Sequence, residues 1–297
     1  MSNNDFDLIV VGAGIVGMST ALWAQKEGLK TLICDPAPPG SGTTYGSACT
    51  IATYASVPVN SPSIFASLPH LLTSKDSPLS FNLRHGLKNP RWMLSFLNNC
   101  RPSRVKHISQ ALGEFLRHAD RGLDPLIAEA KAHDLIVSND CLYVWSSRSG
   151  YESAAASNAM RASQGVEFDD LSPDDVRKLE PNLQQPIHRG LRFKGARHIT
   201  NPQELVRRMQ LRFEALGGVY LPRRVDRCQP DATGVTVHLA DNTQVRGGRL
   251  ALTAGARSHQ ITGTGAEHLP LGTERGYHVL YRNHGALVSR PVGWAEA

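Results

Sequence analysis

The sequence predicts an α/β fold opened by a strand, a glycine turn and a helix, and three observations predict it. Residues 7–11, Asp-Leu-Ile-Val-Val, form an apolar run of the kind that is buried on both faces of a parallel sheet. Gly12, Gly14 and Gly17 follow at G-x-G-x-x-G spacing and lead into a periodic segment that ends near Gly28. Residues 31–35, Thr-Leu-Ile-Cys-Asp, read as a second strand, and it ends in a carboxylate 18 residues after Gly17.

Each part of this unit has a physical task. Gly12 permits the tight turn, Gly14 lets the backbone approach a diphosphate without a side chain in the way, and Gly17 lets the helix lie close against the strand. The unpaired N–H groups of the first helical turn and the positive end of its dipole attract the phosphates. The stretch Gly12, Ala13, Gly14, Ile15, Val16, Gly17 is therefore a candidate dinucleotide site of Rossmann type. Asp35 can accept from both ribose hydroxyls and would repel a 2′-phosphate. The competing reading is a purely structural βαβ unit.

Bulk properties narrow the classes. A chain of 297 residues has room for two domains and a sizeable core. The net charge of +6 is scattered, densest between Arg101 and His107, which reads as a solvated basic surface and not as a nucleic-acid site. Five cysteines (Cys34, Cys49, Cys100, Cys141, Cys228) form no C-x-x-C pair, and reduced thiols in an intracellular protein are expected. The apolar stretch 8–24 is preceded by Asp5 and Asp7 where a signal sequence would carry positive charge, so neither a leader nor a membrane span is expected. Metal-ligand spacings, a G-x-S-x-G elbow and a Cys-His nucleophile arrangement are absent, so the metal expectation is none and covalent hydrolysis is unsupported.

Further along, residues 36–40 stop the second strand, and residues 41–49 form a small, hydroxylated, glycine-rich loop. Its Thr43, Thr44, Gly46 and Ser47 suit close passage along a cofactor, and a plain surface loop is the alternative. Residues 104–134 predict the longest helix, broken or kinked at Gly122 and Pro125, with a shorter helical piece at 91–97 before it. Residues 141–145 predict a strand, and residues 150–164 a helix. Ser172 caps a helix reaching Glu180 with Pro173 in its first turn. Asn201 caps another, with Glu204 placed for a capping box, running to Leu216 and stopping at Gly217. Strands are expected at 218–221, 234–239, 243–245 and 249–254, with a hairpin turn at Asp241-Asn242. The last ends in Ala254-Gly255, which on its own reads as a turn.

The N-terminal fingerprint, the segment Pro-Gly-Ser-Gly-Thr-Thr-Tyr-Gly-Ser-Ala at 39–48 and Thr-Glu-Arg-Gly-Tyr-His at 273–278 together resemble the FAD-dependent D-amino-acid dehydrogenases. These stand within the D-amino-acid oxidase, glycine oxidase and sarcosine oxidase superfamily. The resemblance covers the chain from about Phe6 onward; at Ser47 and Cys49 relatives often carry Asn and Gly.

The resemblance implies FAD as cofactor. It places Thr43, Thr44, Gly46 and Ser47 along it, the backbone near Val225 at the adenine, and Ala254 and Gly255 by the pyrophosphate. It brings Arg275, Tyr277 and His278 to the substrate pocket, with Arg275 suited to a carboxylate and no dedicated catalytic base assigned.

The implied reaction is oxidation of an amino acid, the small-molecule partner, to an imino acid and then a keto acid and ammonia, with oxygen or a quinone as acceptor. A glycine- or sarcosine-type amine is the nearest rival substrate. An inactive nucleotide-binding remnant is the rival of another class, and an NAD-dependent dehydrogenase comes last.

The implied architecture is a Rossmann-like FAD-binding domain, residues 1–85 and 151–265, interleaved with a mixed-sheet substrate domain, residues 86–150 and 266–297. The family pattern continues beyond Ala297, so the substrate domain reads as incomplete and the chain as truncated. The expected location is the cytoplasm, with peripheral contact at the inner face of a membrane left open.

Overall fold

A computed structural model describes residues 4–60, 62, 90–269, 271–273, 276–281, 285 and 287–295. In chain order its elements are β1 (Phe6–Val11), α1 (Ile15–Lys26), β2 (Thr31–Cys34), β3 (Thr50–Ile51), α2 (Pro90–Asn99), α3 (Pro102–Leu116), α4 (Ala119–Glu129), β4 (Ile136–Ser138) and β5 (Cys141–Trp145). There follow α5 (Arg148–Ser153), α6 (Ala155–Ser163), β6 (Phe168–Leu171), α7 (Pro173–Leu179), β7 (Arg189–Phe193), β8 (Arg197–Ile199) and α8 (Pro202–Ala215). The last are β9 (Val219–Leu221), β10 (Val225–Asp231), β11 (Gly234–Leu239), β12 (Gln244–Leu252) and β13 (Val292–Trp294).

The chain divides into two compact units. Met1–Ile51, Asp120–Val137 and His198–His284 form the first, and Ala52–Ala119, Ser138–Arg197 and Gly285–Ala297 the second. These boundaries differ from those drawn on the sequence. Residues 52–60 and 151–197 fall in the second unit, whereas 120–137 and the described residues of 266–284, Tyr277 and His278 among them, fall in the first. The cause is packing: Leu126, Ile127 and Ala130 share a core with Val10, Leu22 and Met209, while β6 and β7 are hydrogen-bonded in one ladder with β5.

The first unit is a six-stranded sheet in the order β10-β11-β12-β1-β2-β9. Strands β12, β1, β2 and β9 run parallel, and β10 and β11 complete the sheet as an antiparallel hairpin edge. Side chains alternate across β1, so Leu8 and Val10 enter one core with α1, α4 and α8, and Ile9 and Val11 enter the other with Val225, Cys228 and Val237. Met209 and Phe213 of α8 are fully buried in the helical core, each stabilising the fold by about 1.5–3 kcal/mol. Glu129 ties three helices together by accepting from Lys26 at 2.5 Å and Arg212 at 2.6 Å. Those two partners hold its carboxyl below the usual range.

In the second unit, β13-β5-β7-β6 form a four-stranded sheet. Tyr54, Trp145, Leu191 and Phe193 pack on one face, and Leu142, Val144 and Val176 on the other.

Several predicted elements take different bounds. The long helix is two, broken at residues 117–118, and Pro125 sits inside α4. The expected helix at 150–164 is the pair α5 and α6. Asn201 does cap α8 by accepting from Glu204 N at 3.0 Å, but the Glu204 carboxylate turns outward to Arg207 and Arg208 and closes no capping box. All five cysteines are free thiols.

Candidate functional site

The site is built where β1 ends. Gly12 takes φ +108°, and its N–H donates to Cys34 O at 2.9 Å, which sets the turn beside β2. A Cβ on Gly12 would stand 2.6 Å from Thr253 O, and one on Gly17 would stand 1.8 Å from Gly12 O. Both glycines are required by the chain's own packing. Gly14 is different. Its backbone is extended (φ −70°, ψ −179°), and a Cβ there would meet only Thr44 Oγ1, at an ordinary 3.5 Å. Among the described residues no contact demands a glycine at this position, as expected where a backbone must lie bare against a ligand.

The surrounding groups hold this turn in place. Ala13 N donates to Asp35 Oδ2 at 2.8 Å, and Ala37 N donates to Asp35 Oδ1 at 2.9 Å. A carboxylate has about four acceptor positions, so these two bonds leave each oxygen with further acceptor capacity. Thr44 Oγ1 accepts from Ile15 N at 3.0 Å and so caps the first turn of α1. Gly40 N donates to Ala13 O at 2.9 Å and returns the loop to the turn. Val16 is 63% exposed at the mouth of the helix, an apolar side chain left in water beside the proposed ligand.

The remaining candidates fall around this centre unevenly. Thr43, Gly46 and Ser47 are exposed, and Ser47 Oγ accepts from Cys49 N at 3.3 Å. Val225 is buried at the start of β10, packed with Cys34. Ala254 caps the short 3-10 turn Gly255–Gln260, one residue after Thr253. His278 comes to the loop: its ring lies edge-on to Tyr45 at 6.2 Å, and a Cβ on Gly46 would be 3.8 Å from it. Tyr277 is 87% exposed. Arg275 lies outside the described residues.

Two contributors escape a reading of the sequence. Thr253 Oγ1 lies 2.9 Å from Val11 O and 3.0 Å from Gly12 O and donates to them, clamping the turn to the end of β12. Tyr220 OH donates to Asp35 O and Ala37 O, fixing the bend after β2. Burial, with the nearby Asp35 charge, pushes the Tyr220 hydroxyl above its ordinary range and keeps it a donor. Neither residue belongs to a motif, and a hydroxyl in a strand carries no sequence signal of what it will clamp. Burial likewise pushes the Cys34 thiol up to about 12, so the cysteine beside Asp35 is inert.

Among the described residues, no group of three or more His, Cys, Asp or Glu could hold a metal ion. No helix there is long and apolar enough to cross a membrane.

A parallel sheet, a glycine turn under a helix N-terminus and an acid closing the second strand define the class: an α/β protein built to hold a dinucleotide diphosphate. Comparison with known proteins makes that class particular. The chain matches the family described as FAD dependent oxidoreductase over residues 7–296, and it belongs to that family. FAD is the family's cofactor.

A D-amino-acid oxidase of Bradyrhizobium diazoefficiens is 26% identical over 277 residues, covering 92% of this chain and 66% of the relative. A D-amino acid dehydrogenase of Dechloromonas aromatica is 24% identical over 296 residues, covering 96% of this chain and 64% of the relative. Among solved structures, glycine oxidase from Geobacillus kaustophilus superposes with a TM-score of 0.58 at 13% identity, over 86% of this chain and 56% of that one. L-proline dehydrogenase from P. horikoshii does so at 0.57 and 12%, over 90% and 57%. At such identities the superpositions show the fold. The chain spans 64–66% of the length of these two curated relatives.

Proposed function

We propose that this chain carries the FAD-binding part of an oxidoreductase that oxidises the CH–NH bond of an amino acid, a D-amino acid in the first place. The substrate loses a hydride from its α-carbon and a proton from its nitrogen, and water converts the imino acid to a keto acid and ammonia. The carrying observation is Gly14, a glycine that the protein's own contacts do not require, at the mouth of α1. Family membership and relatives named for D-amino-acid oxidation support the chemistry.

FAD, when bound, supplies the hydride acceptor. The chain's residues bind and orient. The N–H groups of Val16 and Gly17, which have no acceptor within the helix, face the diphosphate. Asp35 accepts from the ribose hydroxyls through its remaining lone pairs, while Thr43, Thr44, Gly46 and Ser47 border the flavin side. The backbone at Val225 takes the adenine, and Ala254 and Gly255 approach the pyrophosphate. Arg275 holds the substrate carboxylate, with Tyr277 and His278 lining the pocket.

Purified chain is expected to be yellow, with flavin absorbance at about 450 nm, and to lose that band on anaerobic addition of a D-amino acid. A Gly14→Glu variant, too large and wrongly charged, is expected to be colourless. Retention of full FAD affinity by that variant overturns the site. Colour without bleaching by any D-amino acid, glycine or sarcosine overturns the catalytic reading and leaves a nucleotide-binding remnant. Oxygen uptake on substrate addition marks oxygen as the acceptor, and reduction of an added quinone without oxygen uptake marks a quinone.

A further inference from the structure

The loop at residues 41–47 and the segment at 276–281 both belong to the first unit, and they meet at an imidazole. The His278 ring lies edge-on to Tyr45, with centroids 6.2 Å apart and planes at 70°. A Cβ on Gly46 would stand 3.8 Å from His278 Cε1 and 4.0 Å from its Nδ1, ordinary contact distances, so the ring rests on the bare backbone of Gly46. Among the described residues the imidazole meets these two groups and forms no ion pair. Glu274, Arg275 and Arg282, the charged side chains nearest to it in sequence, lie outside the described residues.

The loop ties this contact to the dinucleotide turn. Thr44 Oγ1 caps the first turn of α1 by accepting from Ile15 N at 3.0 Å, and Tyr45 is the next residue. Tyr45 N donates to Gly42 O at 3.1 Å and Ser47 N to Thr44 O at 3.3 Å, so successive turns hold the loop against the helix. His278 thus touches the residue adjoining the cap of α1. In the function proposed above, on which this inference rests, the flavin side of FAD and the substrate amine come to the same loop.

That reaction needs a proton acceptor. An amino acid arrives near neutral pH as an ammonium, which has no lone pair to form the C=N bond as hydride leaves the α-carbon. The titratable side chains of residues 43–49 and 276–281 are Tyr45, Cys49, Tyr277, His278 and Tyr281. Of these residue types only an imidazole ordinarily changes charge between about pH 5 and 8, so it alone suits a base that takes up and returns a proton near neutrality.

We propose that His278 accepts the proton of the substrate ammonium. The N–H bond breaks, its electron pair stays on nitrogen, and the proton passes to the ring, giving a neutral amine and an imidazolium. The freed lone pair forms the C=N bond as hydride leaves the α-carbon, and FAD is the group reduced. Tyr45 braces the ring as a positioning residue.

Two measurements on the FAD-loaded chain test this. Without substrate, the flavin absorbance of the parent is expected to shift between about pH 5 and 8 with the profile of one proton, and His278→Asn should lose that shift. With a D-amino acid under anaerobic conditions, the parent's bleaching rate is expected to fall on the acid side, because an imidazolium accepts no proton. For His278→Asn the rate near neutral pH should drop about 100-fold or more. Its acid limb should move to the alkaline range in which the substrate's own ammonium ionises. His278→Gln serves as a second variant, with far-UV circular dichroism showing that each is folded. Bleaching of the parent by no amino acid overturns the function on which the proposal rests. An acid limb that survives in both variants, or a parent flavin spectrum indifferent to pH, overturns the proposal alone.

Discussion

Asp35 and Ala13 are joined by a 2.8 Å hydrogen bond from the Ala13 amide to the Asp35 carboxylate, so the acid that closes β2 also holds the middle of the glycine turn. The other oxygen holds Ala37. The carboxylate shapes the site whether or not a ribose is present. Hydrogen bonds to charged groups contribute about 1.5–3 kcal/mol each. Asp35→Ala is therefore expected to lower the urea stability of the FAD-free chain by about 2 kcal/mol or more and to weaken FAD binding at least about tenfold. Urea denaturation and quenching of flavin fluorescence read the two effects separately. Lost affinity with unchanged stability would show that the bond to Ala13 carries no weight.

The glycines of the turn should separate into two kinds. Gly12→Ala forces a side chain into a left-handed backbone at φ +108° and against Thr253 O, and about 2–4 kcal/mol of stability should be lost. Gly14→Ala meets only Thr44 Oγ1 at 3.5 Å, so stability should stay within about 0.5 kcal/mol of the parent. Its FAD affinity should fall nonetheless. Urea titrations of the two FAD-free variants, followed by FAD titration of Gly14→Ala, make the comparison. Equal destabilisation by both would remove the argument that Gly14 is reserved for a ligand.

What could be read from the sequence was local. The run from Asp7 to Asp35 is legible because strand, turn, helix and strand each carry their own signal, and the caps at Ser172 and Asn201 fold as their side chains dictate, accepting from Asp175 N and Glu204 N. β10 was invisible. In Val-Asp-Arg-Cys-Gln-Pro-Asp only Val225 and Cys228 are buried, and an irregularity between Val225 and Arg227 breaks the two-residue period. β12 looked like two strands because Gly247-Gly248 interrupts it. Those glycines are packing devices, since a Cβ on Gly247 would stand 2.7 Å from Ile9 Cγ1. The unit boundaries depend on which helix covers which sheet face, and the apolar stripe of α4 would fit either. Thr253 and Tyr220 act through bonds to backbone far away in sequence, which no spacing encodes.

Cys49 is held at φ +61°, in the region where glycine is at ease and a side chain is not. Its amide and thiol both bond to Ser47, and Ile199 N donates to Cys49 O at 2.7 Å, so the surrounding loop imposes the conformation. A left-handed residue costs about 1–2 kcal/mol, and the greater freedom of glycine in the unfolded chain returns part of it. Cys49→Gly should therefore stabilise the chain by about 0.5–1 kcal/mol, and Cys49→Val should destabilise it. A rise in the urea midpoint for Gly and a fall for Val is the expected pair.

Glu180 and Arg290 form the pair that seats the segment leading into β13. The Glu180 side chain is 2% exposed and that of Arg290 13%, with Arg290 Nε donating to Oε1 at 2.8 Å. Ser289 N donates to Oε2 at 2.8 Å, and the Ser289 hydroxyl donates to Oε1. Burial by itself would raise the Glu180 carboxyl, but the Ser289 hydroxyl and amide and the Arg290 guanidinium outweigh it and hold the group below its usual range. A carboxyl depressed in the folded state contributes stability fully above its unfolded value, about 4.3, and loses it as pH falls through the folded value. Glu180→Gln leaves Arg290 almost buried without a counter-charge, which costs about 3–5 kcal/mol near neutral pH. Adding Arg290→Met should recover most of the loss. Urea titrations should give a parent-minus-variant difference that is constant from about pH 6 to 8 and shrinks below about pH 4. A difference that grows on acidification would mean that the carboxyl is protonated in the folded protein and that the pair is not ionic.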